Sequence, residues 1–186
     1  FILTDALNLG LPAGVARNYP QAESDEERRG ILVSSFVLGM SAGFVGGVVV
    51  FVSAHPISVH VFNDQSVAPV LQIIGLLIPL KVLFALSNGS IRAIKKPKMK
   101  VAVVSILQPI VRFVAIVLLV LAGVEAVGVA GAYTIAIGST AVLSLYVVYK
   151  HTELFESSEP AESSYRSMLV FSLPLVGSSV IMKLMN

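Results

Sequence analysis

Three cationic side chains stand inside long apolar segments of this sequence. They are Lys81, Arg112 and Lys183. A charged side chain at the centre of a bilayer costs about 2.5–3.5 kcal/mol on insertion scales, so such residues usually face a cavity or a partner. Lys and Arg in such places are suited to bind an anionic group, above all a phosphate. We therefore take these three residues as candidate substrate-binding residues.

Polar residues recur at helical spacing from these cations and define polar helix faces. The supporting residues are Gln108, Ser105, Asn88 and Ser179. A further apolar segment carries Tyr133, Thr140 and Ser144 on one face. Because all eleven acidic residues lie in loops or near the ends of segments, these faces predict a wet cavity with net positive charge. The alternative is that each cation extends to a membrane interface or has a structural partner.

The composition indicates an integral membrane protein. Of 186 residues, 55% are hydrophobic and only 13% are charged, and the mean hydropathy is +0.86. A soluble domain would have about a quarter charged residues. The excess cations flank apolar segments, so the net charge of +2 does not indicate nucleic-acid binding. The three His residues lie in separate loops without metal-ligand spacing. The sequence also contains no phosphate-binding or metal-binding motif, so it predicts neither a metal nor a cofactor.

The apolar segments have the length of membrane-spanning helices. A first helix would end within residues 1–14, and the following spans are predicted at 31–54, 66–91, 101–124, 126–149 and from about 166 onwards. Barrel strands would be about ten residues long with strict alternation, which is absent. The predicted fold class is therefore all-α, a polytopic transmembrane helix bundle. The ends suggest a piece of a longer protein, which we would not expect to transport by itself.

The distribution of Lys and Arg predicts the orientation. Successive loops carry 3, 0, 5, 0 and 2 of these residues. By the positive-inside rule, loops 15–30, 92–100 and 150–166 are cytoplasmic, and those at 55–65 and near residue 125 are external. The predicted location is the cytoplasmic membrane, with membrane lipids as partners.

Prolines and glycines within the spans predict bends and close packing. Pro79, Pro109 and Pro174 each remove a backbone donor inside an apolar segment, and the first two precede a cation by two or three residues. Gly39, Gly43 and Gly47 (spacing four), and likewise Gly128, Ala132 and Ala136, present small-residue faces. We expect both faces to serve helix packing within one protein.

Three short sequences carry a resemblance to a known family. Leu9–Arg17 (LGLPAGVAR) resembles the end of the second helix of lipid-linked oligosaccharide flippases, Gly89–Ala93 (GSIRA) the end of their fourth, and Phe171–Leu175 (FSLPL) the start of their seventh. These Wzx-like proteins belong to the multidrug/oligosaccharidyl-lipid/polysaccharide exporter superfamily. The resemblance implies a MATE-like fold of two lobes around a cavity that opens alternately to each side.

The resemblance also implies a domain division and a function. Residues 1–150 would form an incomplete N-terminal lobe, 151–166 a cytoplasmic linker, and 167–186 the truncated first helix of the C-terminal lobe. The chain would be a transporter and not an enzyme, moving a lipid-linked oligosaccharide for surface polysaccharide biosynthesis. Its partners would be an anionic lipid-linked glycan and glycan-assembly enzymes. By position, Arg112, Lys81 and Lys183 would hold the phosphate.

Other functions remain open from the sequence. A drug or metabolite antiporter of the same superfamily usually needs a carboxylate within the membrane for ion coupling, and the spans contain none. A membrane enzyme of glycan assembly would need acidic metal ligands or a base at the membrane face. The acidic groups at 23–27 and 153–162 instead have the pattern of solvated charges in linkers. A scaffold without transport would leave the buried cations unexplained.

Overall fold

The computed structural model of the chain describes residues 8, 10–94, 106, 108–121 and 126–151. These residues form α-helices and two 3₁₀ turns, and the described part contains no strand. The helices are α1 (Leu11–Asn18), α2 (Asp25–His60), α3 (Ala68–Ala93), α4 (Gln108–Leu121) and α5 (Ala126–His151). The 3₁₀ turns are Tyr19–Gln21 and Gln65–Val67. The all-α fold class is thereby confirmed.

Within the described residues, three helical segments are long and apolar enough to cross a membrane. They are Asp25–His60, Gln65–Ala93 and Ala130–Lys150. About 20 helical residues cross a hydrocarbon core of about 30 Å, so each segment has sufficient length. The chain is thus a polytopic helical membrane protein, and the predicted spans 66–91 and 126–149 agree with the observed helices to within about two residues at each end.

Residues 15–30 were predicted as a charged loop or a short surface helix, and the second half is helical because α2 begins at Asp25. The hydroxyl of Ser24 accepts the backbone N–H of Glu27 at 3.1 Å. The carboxylate of Glu27 accepts the backbone N–H of Glu23 at 3.0 Å. This reciprocal arrangement is close to a capping box, and acidic residues in the first turn complement the helix dipole. A charged sequence therefore starts the long helix.

The prediction of a loop at 55–65 is wrong for its first half, because α2 continues through Pro56 to His60. Proline removes one backbone donor, yet the last turn still closes with the Val61 N–H donating to the Ile57 carbonyl at 2.9 Å. Asn63 then adopts a left-handed conformation, with φ of 52°. The connection to α3 is consequently shorter than the sequence indicates.

Residues 11–18 form the short helix α1, which overlaps the start of the region predicted as a charged loop or a short surface helix. Gly10 has a left-handed φ of 65°, and Pro12 occupies the first turn, where it loses no intrahelical bond. Leu11 and Val15 are fully buried. A Cβ on Gly89 of α3 would stand 2.7 Å from the Cα of Pro12, so α1 packs closely against α3.

Helices α2 and α3 pack antiparallel through the predicted glycine face. A Cβ on Gly39 would stand 2.7 Å from the side chain of Leu86, and one on Gly43 would stand 2.9 Å from that of Val82. One on Gly47 would stand 2.7 Å from the backbone oxygen of Gly75. The prediction that these glycines serve packing inside the protein is confirmed.

Helix α3 is the centre of the described bundle. It contacts α1, α2 and α5, and α5 in turn contacts α4. The outward side of α2 exposes large apolar side chains, among them Phe44, Val45, Val49 and Val52. In a membrane protein such a surface faces lipid. The polar residues of interest lie on the other side of α3, toward α5.

Candidate functional site

Lys81 lies near the middle of the central helix. It is about 20 Å from the first residue of α3 at 1.5 Å per residue, and it belongs to the membrane-spanning segment Gln65–Ala93. Pro79 lies two residues earlier, inside the same helix as predicted. The backbone of Lys81 is therefore well inside the apolar part of the bundle.

The ammonium group of Lys81 lies over the ring of Tyr133 on α5, with Nζ 5.5 Å from the ring centroid. At this distance the electron-rich face of an aromatic ring attracts a cation. Tyr133 is about 10 Å from the first residue of α5, so the Lys81 side chain leans toward the N-termini of both helices, as helical side chains do. Both side chains are half-buried. The charge is held against a neighbouring helix, within the spanning segments.

Helices α3 and α5 run in the same direction. A Cβ on Gly138 would stand 3.5 Å from the side chain of Leu80. Further along both helices, Ile91 and Val148 belong to one buried cluster. Residue numbers therefore rise together along the α3–α5 interface. In parallel packed helices the residues that meet recur about every seven positions.

This repeat places further polar residues beyond Lys81 and Tyr133 along the same interface. Asn88 follows Lys81 by seven residues, and Thr140 follows Tyr133 by seven. Asn88 therefore comes opposite the turn that holds Thr140 and Ser144. The predicted polar face of Tyr133, Thr140 and Ser144 is present on α5, and it lies in the described helix packing.

Asn88, Thr140 and Ser144 are enclosed within the described bundle. Thr140 and Ser144 are fully buried, and Asn88 is 7% exposed. The cause is close packing, because α5 presents the small buried residues Ala132 and Ala136 as predicted. The polar residues are therefore covered by neighbouring parts of the bundle.

Several buried hydroxyls in the described helices donate to a backbone carbonyl three or four residues earlier. The shortest such bonds are those of Ser35 to Ile31 (2.6 Å) and Thr140 to Ala136 (2.8 Å). On α3 and α5, three buried side-chain atoms have no hydrogen-bond partner in the described part of the chain: Ser87 Oγ, Asn88 Oδ1 and Ser144 Oγ. These atoms are exceptions to the rule that buried polar groups are paired.

Helix α4 carries two of the predicted residues. Gln108 and Arg112 are one turn apart, so they occupy the same face of the helix. Gln108 lines a groove of about 320 Å³ with Pro109, Phe113 and Ile116. The side chain of Arg112 is outside what the structure describes, as are Ser105, Ser179, Lys183 and Pro174 altogether. Helix α4 packs on α5, the helix that also carries Tyr133.

Sequence reasoning found Lys81 and Tyr133 separately but did not pair them. Each was assigned to a polar face of its own helix, and the pairing depends on the parallel packing of α3 and α5. Ser87 was missed, although a serine next to an asparagine within an apolar span was a visible signal. Among the described residues there is no cluster of three or more His, Cys, Asp or Glu that could hold a metal.

Comparison with known proteins gives one match. The family model described as polysaccharide biosynthesis protein matches residues 1–186. No curated protein and no solved structure matches the chain. Because the match covers every residue of a chain whose helices can cross a membrane, the chain belongs to the polysaccharide biosynthesis protein family.

Proposed function

We propose that this chain is part of a flippase that moves a polyprenyl-phosphate-linked oligosaccharide across the cytoplasmic membrane for surface polysaccharide assembly. The observation that carries the proposal is the charge of Lys81, held between α3 and α5 inside the spanning segments. Membership of the polysaccharide biosynthesis family supports it. A lysine that only anchored the helix would place its charge at a headgroup.

The chemistry of the site suits the proposed cargo. Lys81 is half-buried, and its ammonium group lies over the Tyr133 ring. A lipid-linked glycan carries its negative charge on phosphate, which binds strongly to Lys and Arg where water is scarce. Arg112 would supply a second cation from α4, which packs on α5 as α3 does. The remaining proposed ligands are Lys183 and the polar residues Ser105, Gln108 and Ser179.

The proposed movement is alternating access between two lobes, as in transporters whose substrate sites lie near the middle of the bilayer. Residues 1–150 would belong to the first lobe, 151–166 to a cytoplasmic linker and 167–186 to the second lobe. In the orientation proposed from the basic loops, the N-termini of α3 and α5 face outward. Lys81 would therefore meet the phosphate on the outer half of its path.

The test is complementation in cells whose surface polysaccharide depends on the full-length protein. Lys81→Gln and Arg112→Glu should abolish the polymer while leaving the amount of protein in the membrane unchanged. Arg92→Gln is the matched control, because Arg92 is exposed at the end of α3, and it should leave polymer near normal. Normal polymer with both Lys81→Gln and Arg112→Glu would remove the cations from the mechanism.

A further inference from the structure

The orphaned polar atoms of α3 and α5 identify a second, smaller binding site. We propose that a water molecule is bound between Asn88 Oδ1 and Ser144 Oγ at the α3–α5 interface. Along α3 the site lies about two helical turns beyond Lys81, and it is separate from the proposed phosphate site. It does not depend on the flippase function.

The first argument is that these two atoms are buried and have no partner in the described part of the chain. Asn88 is 7% exposed and Ser144 is 0% exposed, and neither Oδ1 nor Oγ makes a hydrogen bond. A buried polar group without a partner loses its hydration and gains nothing in return. In a membrane-spanning bundle no bulk solvent can supply the bond, so an enclosed ligand is needed.

The second argument is that Ser144 does not donate to a backbone carbonyl of its own helix, although neighbouring hydroxyls do. Thr140, one turn earlier on α5, donates to the Ala136 carbonyl at 2.8 Å. Ser90, on α3 near Asn88, donates to the Leu86 carbonyl at 3.0 Å. Ser144 makes no such bond to its own helix. Its hydroxyl is therefore available to a partner outside that helix.

The third argument is position. The contact of Leu80 with Gly138 fixes the parallel register of the two helices, and the Lys81–Tyr133 pair shows which flank of each helix is shared. Asn88 follows Lys81 by seven residues and Ser144 follows Tyr133 by eleven, so each returns to that flank of its helix. By the Leu80–Gly138 register, Asn88 is level with about residue 146, two positions from Ser144. The two atoms do not bond to each other directly, and a single water molecule can bridge two such groups.

The chemistry of the two groups favours water over a cation. The Asn88 amide oxygen is an acceptor, and the Ser144 hydroxyl both donates and accepts. A water molecule can donate to the first and bond to the second, as buried waters usually do with two to four polar partners. A cation would have neutral ligands here, with the positive charges of Lys81 and Arg92 on the same face of α3. Water requires no compensating charge.

The test is the thermal stability of the purified full-length protein with Ser144→Ala, Asn88→Leu and the double variant. If water bridges the two groups, each single change should lower Tm by about 2–4 °C. The double variant should lower it by less than the sum, because both changes remove one bridge. Ser90→Ala is the matched control, a buried serine whose bond is internal to α3, and its effect should add to that of Ser144→Ala.

Three results would overturn the proposal. A Tm that is unchanged or raised by Ser144→Ala would mean that the hydroxyl has no partner to lose. A wild-type Tm that rises in NaCl and not in KCl, with the difference absent in Ser144→Ala, would mean a sodium site. A high-resolution structure of the full-length protein with no density peak within hydrogen-bond distance of Asn88 Oδ1 and Ser144 Oγ would also exclude the water.

Discussion

The two sides of α3 are built differently. Toward α2, glycines bring the backbones together, and the Gly47–Gly75 crossing leaves no room for a Cβ on either helix. The groove of about 210 Å³ beside this crossing is lined by apolar side chains such as Phe44, Phe51 and Leu76. Toward α5, the same helix presents a lysine over an aromatic ring and buried polar atoms that have no hydrogen-bond partner among the described residues. The first face serves close packing, and the second is the one that we propose for ligands.

This difference separates a closely packed interface from a polar one within the same helix bundle. Close backbone contact depends on shape and admits almost no movement. Polar contacts at the α3–α5 interface depend on charge and hydration, which a ligand can replace. We therefore expect substitutions at the first interface to affect folding, and substitutions of Lys81 and Tyr133 at the second to affect binding.

The largest expected effect is on folding, from Gly75→Val. A Cβ on Gly75 would stand 2.9 Å from the Gly47 oxygen and 2.9 Å from the Phe51 nitrogen, both of them backbone atoms. Such overpacking should destabilise the protein by about 3 kcal/mol or more, seen as loss of folded protein and a lower Tm. Gly131→Ala is the control, since nothing lies within 4 Å of its Cβ. A normal Tm for Gly75→Val would refute the close crossing.

The next effect is on binding, from Tyr133→Leu. Removing the ring takes away the support of the Lys81 ammonium group, so a polyprenyl phosphate should bind about 2- to 30-fold more weakly. Tyr133→Phe keeps the ring and should bind as the wild type does. Tyr146→Leu, at an exposed tyrosine of the same helix, controls for general loss of aromatic surface. Equal affinities for Tyr133→Leu and Tyr133→Phe would show that the ring has no such role.

A smaller effect is expected at the start of α2. Ser24→Ala removes the hydroxyl that accepts the Glu27 N–H, and loss of such a cap costs about 0.5–2 kcal/mol. Amide hydrogen exchange should become faster at residues 25–28 and remain unchanged in the middle of α2. Ser41→Ala, which removes an exposed hydroxyl from mid-helix, is the control. Unchanged exchange at residue 27 would argue against the cap.

The smallest effect concerns pH and the loop before α3. The backbone N–H of Ser66, and then its hydroxyl, hold the pKa of the exposed Asp64 carboxyl below its ordinary value of 3.8. A lowered pKa means that the ionised group stabilises the folded loop above pH 3.8 and that this stabilisation disappears as the pH falls through the lowered pKa. Asp64→Asn should therefore lower Tm slightly at pH 7, with no difference from wild type at strongly acidic pH. A difference that persists in acid would contradict this account.

The sequence predicted the apolar spans and the packing faces because these depend on local patterns. Gly39, Gly43 and Gly47 could be recognised by spacing alone. The ends of α2 were not predicted correctly, since the predicted span covered residues 31–54 and the helix covers Asp25–His60. The Ser24 cap and the turn beyond Pro56 extend it in both directions.

The site could be predicted only in part, and the reason is physical. A cation within an apolar span is visible in the sequence, so Lys81 could be named. Its partner Tyr133 is 52 positions away, and the pairing requires the parallel register of α3 and α5. The burial of Asn88 and Ser144 likewise depends on what covers them. Tertiary packing, which no single-helix pattern contains, decides both.

The most direct test of the central claim is the affinity of the purified full-length protein for a short polyprenyl phosphate, with Lys81→Gln compared with Lys81→Arg. A charge-assisted bond contributes about 1.5–3 kcal/mol, so Lys81→Gln should weaken binding about 10- to 150-fold. Lys81→Arg should stay within a few-fold of wild type, and uncharged polyprenol should not distinguish the variants. Wild-type affinity of Lys81→Gln for the phosphate would contradict the account.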